Sequence, residues 1–439
     1  MNDDHNQHAY LRTSALWAIY ENFTSAYLVA FAILLGASNF AIAVLASLPY
    51  IAVVLSEAIG AKLTERWHRV PIILVTYAID KAMWIFIALM PYVTYERPVV
   101  ALGTFFFLNQ FFLTLREPAL VSLVADIAPA QKGVYFARVN RATGAAGMLA
   151  TLAAGFFLQW MGKTDPLGYT LLFLVGALFG YITMWSFGTL RERDGIQHIH
   201  HSLRDIFRYD GVFRSFCIRA SFFWFAARVG GPLVTAYMLR DLGLPLTVYA
   251  ASTAVYTLSQ IVFYKPLGRL ADRFGDRLLA LIGLFGTCGV MLLWFLIRPQ
   301  TLWLIWPTQI FSGLVWAATE LSLFNLLLDV SSKENRPLQT AQYSTMAAIA
   351  QAAGALLGGF IVKSEGIGMI VGIPLVLLVS AGLRLVSALL FVQMRDVPMK
   401  TRHPVSAVLH FVLQRGFFQP RHHVRLPAVH LPAAKPPKA

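Results

Sequence analysis

The chain has 439 residues, of which 57% are hydrophobic and 13% charged, against the roughly 25% charged residues of soluble globular domains. That balance excludes a soluble enzyme or a soluble nucleic-acid-binding domain. The net charge of +14 reports membrane topology, because the basic residues fall in short loops and in the tail, between apolar stretches.

Residues 1–13 read as a polar cytoplasmic tail with no cleavable signal, so the first span is expected to serve as its own signal. A helix that crosses a hydrocarbon core of about 30 Å takes roughly 20 apolar residues. Six such stretches follow near 15–35, 40–62, 71–93, 99–124, 137–160 and 168–189, with breaks at 36–39, 96–98 and 163–166. A polar middle stretch comes next, and six more spans lie near 215–239, 246–267, 278–297, 303–328, 339–362 and 369–394. The expected organisation is an all-α polytopic membrane protein of about 12 transmembrane helices in two pseudo-symmetric six-helix bundles, 14–190 and 214–396. A cytoplasmic loop at 191–213 joins them, and a tail follows at 397–439.

Within the middle loop Leu203, Ile206 and Phe207 share one helical face opposite basic residues, which predicts an interfacial helix. In the tail Val405, Val408, Leu409, Val412 and Leu413 predict a second surface helix, followed by a disordered Pro-rich and basic end. Histidines 198, 200, 201, 422 and 423 read as solvated rather than metal-binding, and Cys217 and Cys288 form no CxxC. No metal or cofactor is expected.

Of the 36 Lys and Arg residues, 25 fall on one side of the predicted spans. Only five, Arg97, Lys163, Arg240, Arg298 and Lys363, fall on the other. The rule that positive loops stay inside then places both termini in the cytoplasm, and a bacterial inner membrane is the expected location.

The chain also repeats itself. Glu65-Arg66-Trp67 answers Asp272-Arg273-Phe274 at an offset of 207, and the same offset pairs Trp17 with Trp224, Glu21 with Arg228 and Gly36 with Gly243. At an offset of 203, Glu117 and Asp126 pair with Glu320 and Asp329, and Gly155 with Gly358. The pattern is that of a duplicated half.

Six plus six spans, a long middle loop and a charged turn between spans two and three repeated between eight and nine resemble the major facilitator superfamily. The turn motif of that family is roughly G-x-x-x-D-R-x-G-R-[R/K]. The second copy here keeps Gly268, Asp272, Arg273, Gly275 and Arg277 but has Asp276 at a basic position. The first copy has Ala61, Glu65, Arg66 and His68. The resemblance implies a two-state lock built from Glu65, Arg66, Gly268, Asp272, Arg273, Gly275 and Arg277, in which Gly permits a turn or close approach while ion pairs form in one conformation and break in another. A loop that is merely positive inside is the plainer reading of the same residues. Drug-exporting antiporters of the superfamily carry a Gly-Pro motif in span five, which this chain lacks.

An ionisable side chain in mid-span costs at least about 2.5–3.5 kcal/mol and so faces an interior or a water-filled cavity. The resemblance implies that spans one, four, seven and ten line a central cavity. Glu21, Arg116, Glu117, Arg228 and Glu320 lie in those spans and are the candidate substrate or coupling residues. Equal depth predicts a ring of charge, with an ion pair between the matched positions Glu21 and Arg228. Glu57, Asp80, Lys81 and Arg384 read as structural, each satisfied within its own half.

The expected function is secondary active transport of a small solute by alternating access of two rocking halves, with protons as a candidate coupling ion and a monomer in the bilayer. The alternative is a related membrane protein that no longer transports and serves as a receptor or assembly platform through its loop and tail. An enzyme is not expected: no HExxH, GxSxG or nucleotide-binding loop occurs.

Overall fold

The computed structural model describes residues 2–127, 132–190, 211–332, 336–364 and 371–394. Among them it holds twelve spans long and apolar enough to cross a membrane. The first half comprises α1 (Asn2–Phe23), α2 (Leu28–Leu34), α3 (Asn39–Arg66), α4 (Arg69–Leu89), α5 (Pro98–Leu115), α6 (Glu117–Ile127), α7 (Lys132–Met161) and α8 (Pro166–Gly188). The second comprises α9 (Gly211–Ala236), α10 (Leu246–Phe274), α11 (Asp276–Leu296), α12 (Ile305–Val330), α13 (Arg336–Lys363) and α14 (Ile373–Val392). The helices proposed within 191–213 and 397–439, and the five loop and tail histidines, lie outside the described residues.

Local chemistry sets the helix ends. The Ser38 hydroxyl accepts from the Ala41 amide at 3.2 Å to start α3, and Asp165 accepts from the Leu167 amide at 2.9 Å ahead of Pro166 to start α8. Span four is split at Arg116 because Pro118 lacks an amide hydrogen and its ring opposes the carbonyl one turn back. Span one is split at Thr24 (φ −111°, ψ −83°), where a short 3-10 turn, Ser25–Tyr27, separates α1 from α2. No Pro or Gly marks that break. Helix α1 also starts at Asn2, inside the stretch read as a tail. It continues because it has something to pack on: Ala9 is buried, Tyr10 meets the Tyr135 and Phe187 rings, and Tyr135 donates to the Gln7 carbonyl at 3.1 Å.

The two halves share one packing plan. In the first, α1 lies on α7 and α8, α3 on α5, and α4 on α5 and α8; in the second, α9 lies on α13 and α14, α10 on α12, and α11 on α12 and α14. Each of these contacts of one half has its counterpart in the other. The two most extensive contacts between halves obey the same exchange, α3 on α13 and α10 on α7, as a two-fold pseudo-axis along the membrane normal requires. Trp67 and Trp185 are exposed near the end that carries the charged turns, the turn face, and Trp160 and Trp303 near the opposite face, positions suited to the headgroup level.

Glycines let these backbones meet. A Cβ added at Gly354 or Gly358 of α13 would lie 3.0 Å from the carbonyl carbon of Phe225 or Val229 on α9, and nearer still to the oxygen. Gly354→Ala is therefore expected to lower the thermal unfolding midpoint of the purified protein by an amount equivalent to about 1–3 kcal/mol. Gly382→Ala, which meets open space, is the matched control, and equal midpoints for the two would refute the close-approach argument.

Candidate functional site

A cavity of about 240 Å³ opens where α1 of the first half and α10 of the second meet α7. Helical spacing brings its lining together. Trp17 and Glu21 are one turn apart on α1, Thr143, Gly147 and Thr151 occupy successive turns of α7, and Thr253 and Thr257 are one turn apart on α10. Gly147 permits the close crossing of α7 and α1, since a Cβ there would fall 2.8 Å from Asn22 Nδ2. Thr151 donates to Asn22 Oδ1 at 2.7 Å, and the Tyr27 hydroxyl donates to the Thr151 carbonyl at 2.5 Å, so the wall is hydrogen-bonded across helices. Two polar atoms of the lining residues are buried: Thr143 Oγ1, which has no partner, and Glu21 Oε2, whose carboxylate has Ser25 as its side-chain neighbour.

Behind Glu21 lies a buried charge group inside the first half. Asp80 and Lys81 of α4 are fully buried and Arg116 is 1% exposed. Both cations converge on one oxygen, Asp80 Oδ2, Arg116 at 2.5 Å and Lys81 at 3.0 Å. Aromatic faces complete the enclosure: the Lys81 amine sits 3.5 Å from the Tyr20 ring centre and the Arg116 guanidinium 3.8 Å from that of Tyr77. Asn109 donates to the Asp80 carbonyl at 2.9 Å. Glu21 is within electrostatic reach of Lys81, Asp80 and Arg116. In the second half, Arg384 is fully buried and donates to the carbonyls of Thr287 and Ala227 at 3.1 and 2.9 Å.

The predicted ring of charge is not formed, and neither is its expected ion pair. Glu21 faces α7 and α10, whereas Arg228 donates to Gln351 of α13 at 3.0 Å and lies 5.0 Å from the Tyr50 ring of α3. A two-fold axis accounts for this: matched positions on α1 and α9 point to the two opposite seams of the molecule, not to each other. Arg116 belongs to the Asp80 pair rather than to the cavity. Glu320 accepts from the Tyr264 hydroxyl at 2.9 Å within its own half. Glu117 opens α6, half-buried, with Glu57 of α3 within electrostatic reach.

The charged turns differ from their expected construction in one respect. Gly275 takes φ 92° and makes the turn, but Gly268 lies inside α10, where an added Cβ would meet open space, so it neither turns the chain nor admits a neighbour. Arg273 lies 5.4 Å from the Phe274 ring and Arg277 donates to the Val392 carbonyl at 2.9 Å. Asp276, the departure from the family motif, has a local use: it sits in the first turn of α11, where a negative charge suits the helix dipole, and accepts from Asn325 of α12 at 2.7 Å. Arg66 ends α3 and is exposed; Glu65 lies in the last turn of the same helix.

Thr143, Thr151, Thr253, Thr257 and Asn22 were not singled out by their sequence. Neutral hydroxyls and amides in a span carry little hydropathy penalty, and the available signal was the one-turn spacing Thr143, Gly147, Thr151 set against Trp17 and Glu21.

Twelve spans, the repeated packing plan and the seam between halves define a transporter fold, and comparison with known proteins agrees. Residues 216–426 match the Major Facilitator Superfamily. The nucleoside transporter NupG superposes with a TM-score of 0.70 at 15% identity, over 91% of this chain and 100% of its own. The xylose transporter XylE from E. coli, in an inward open conformation, gives 0.68 at 14% identity, over 92% and 99%. A stretch of 107 residues is 30% identical to the class B tetracycline resistance protein of Escherichia coli, spanning 24% of this chain and 26% of that relative's length. The sequence match to that family lies in the second half of the chain, and both halves share the fold of these solved transporters.

Proposed function

We propose that the chain is a secondary active transporter that carries a small solute through a bacterial inner membrane by exposing a site between its halves to each side in turn, with protons as the coupling ion. The observation that carries this reading is the seam cavity: it is walled by helices of both halves, so a rocking motion must reshape it, and one of its lining residues is the ionisable Glu21. Proteins of the same fold are named for moving nucleosides and xylose, and one is a D-xylose-proton symporter. Proton coupling is supported by two carboxylates inside the spans that make no ion pair in contact among the described residues: Glu320 has a tyrosine hydroxyl as its partner, with Arg228 at longer range, and Glu117 stands between Arg116 and Glu57. A carboxylate in such surroundings is one that can take up and release a proton as its exposure changes.

The test uses proteoliposomes loaded with a pH-sensitive dye and presented with a solute panel. A transported solute is expected to change the lumenal pH, by acidification for symport or alkalinisation for exchange, and Glu320→Gln or Glu117→Gln to abolish that change while solute binding persists. Coupling unchanged in both variants would sink the proton assignment, and no flux of any solute in a monodisperse, folded sample would sink the transport reading.

A further inference from the structure

The seam of α7 and α10 has a second flank, turned away from α1 and from the cavity. The two helices meet where Gly144 faces Ile261, since a Cβ added there would fall 3.2 Å from Ile261 Cδ1. On the outer flank Arg138, Arg141, Ala145 and Leu149 recur at three- and four-residue spacing along α7, and Leu258, Val262 and Lys265 do so along α10. All seven are exposed, Leu149 by 62%, Leu258 by 50% and Val262 by 44%. Each strip thus changes from apolar in mid-span to basic toward the turn face. One turn beyond the Gly144–Ile261 contact, Arg141 and Lys265 flank the seam, one from each half, and Gly268, a further turn on, meets open space.

The cations are not balanced along these helices. Helix α7 holds no acidic residue and α10 only Asp272, two turns nearer the turn face and beside Arg269 and Arg273. Nor does the fold demand them. At the repeat offset of 203, Arg138 and Arg141 answer Ala341 and Ser344, and at 207 Lys265 answers Ala58. The matched seam of α3 and α13 therefore carries no cation at these three positions.

Lys265 stands nine residues before Phe274, the end of α10, or about 13 Å along the helix axis. A cation at that depth on a lipid-facing surface needs water or an anion within its reach. A phosphodiester supplies the anion, because its oxygens accept from guanidinium and ammonium groups together, and its acyl chains can follow the exposed Leu149, Leu258 and Val262. A soluble anion would use only the basic end of the strips. A zwitterionic headgroup would bring a further positive group to a place that already holds three.

We propose that the outer flank of the α7–α10 seam binds an anionic phospholipid of the inner leaflet, with its phosphate between Arg138 and Arg141 of one half and Lys265 of the other. The site lies outside the cavity and is independent of which solute, if any, the chain carries. It makes the lipid a bridge between the halves at one seam only.

The experiment uses the full chain with Cys217→Ala and Cys288→Ala, reconstituted in phosphatidylcholine containing a minority of phosphatidylglycerol. A fluorophore is placed at Val262→Cys, or at Phe285→Cys on the exposed face of α11 as the control. Bromine atoms on the acyl chains of one lipid or the other quench the label when that lipid is its neighbour. Each basic side chain near an anionic headgroup contributes roughly fivefold in affinity. The Val262 label is therefore expected to report a preference of at least about tenfold for phosphatidylglycerol, and the Phe285 label much less. Lys265→Gln should lower the Val262 preference by about fivefold and Arg141→Gln with Lys265→Gln should lower it further. Lys265→Arg should keep it, which separates a charge contact from a packing defect. Equal preference at the two labels, or a preference unmoved by Arg141→Gln with Lys265→Gln, would overturn the assignment. So would release of the brominated lipid by soluble glycerol phosphate, which would mark a site for free anions.

Discussion

Asp80→Asn is expected to destabilise the first half by about 3–5 kcal/mol, the range seen when one partner of a buried ion pair is removed, against a total stability of about 5–15 kcal/mol for a folded protein. The reason is the geometry of the group. Both Arg116 and Lys81 rest on the single oxygen Asp80 Oδ2, and all three side chains are at most 1% exposed, so the amide would leave two buried cations with no anion in contact. Water cannot reach them to compensate, and neither can move away: the Lys81 stem packs on Gly180, where an added Cβ would fall 2.6 Å from Lys81 Cδ, and the guanidinium is held against Tyr77. The charge count makes a sharper test than the loss itself. Asp80→Asn alone leaves Lys81, Arg116 and Glu21 with a net positive charge, whereas Asp80→Asn with Lys81→Met leaves Arg116 and Glu21 balanced and keeps an aliphatic stem on Gly180. The double variant is therefore expected to be more stable than the single one, a coupling of at least about 1 kcal/mol of the kind double-mutant cycles detect. Thermal unfolding of the purified variants measures both. A neutral Asp80→Asn, or a double variant worse than the single, would show that the group is not held by charge.

The parts of this molecule that follow from its sequence are those set by local composition and by repetition. Hydropathy alone places twelve spans, because a bilayer penalises every uncompensated polar group in the same way wherever the helix stands. The offsets of 207 and 203 residues foretell the shared packing plan, since a duplicated half folds by the same contacts. What could not be read was direction around the axis. Glu21 and Arg228 match in register, yet register does not say which seam a side chain faces. Arg116 and Glu117 are neighbours on one span, and which of them turns inward is decided by Asp80, 36 residues away on another helix. The break at Thr24 has the same origin: without Pro or Gly in the chain there, it arises from packing of spans one, five and six around Tyr27 and Gly176. Gly268 shows the converse error, in which a residue type suited to a turn sits in an ordinary helical turn.

Removing both Lys163 and Arg240 is expected to shift the two halves apart at the opposite face by about one hundredfold in population. These are two of the few basic residues on that side, and each reaches across to the other half. Arg240 donates to Asn39 Oδ1 at 2.5 Å and to the Ala37 carbonyl; Lys163 donates to the Leu239 and Leu244 carbonyls at 3.0 and 3.1 Å. The acceptors exist because of two glycines that are 207 residues apart. Gly36 at φ 81° closes α2 in a Schellman turn, with Ala37 N–H on Ala32 and Gly36 N–H on Ile33, and this leaves the Ala37 carbonyl pointing out. Gly243 at φ 63° closes span seven after a π turn at Tyr237–Asp241. The extra residue of that turn moves the closing bond of Leu244 N–H from Leu239, the regular partner, to Met238 at 3.0 Å, and the Leu239 carbonyl is thereby left for Lys163. Hydrogen bonds to charged groups contribute about 1.5–3 kcal/mol each, or roughly tenfold or more in population for each cation at 1.4 kcal/mol per decade. The two sites contact different loops, so their effects should add. Burial lowers the Lys163 amine below the ordinary lysine value, so alkaline pH removes its charge sooner than from a free lysine and should weaken that point of the latch. Spin labels at the exposed positions Leu167 and Trp303, one on each half, report the separation. Lys163→Met and Arg240→Met should each add a longer distance to the distribution, and together make it dominant. Distances unchanged in the double variant would mean that the apolar contacts of this face, such as Phe40 on Phe360 with ring centres 5.3 Å apart, hold the halves without the cations.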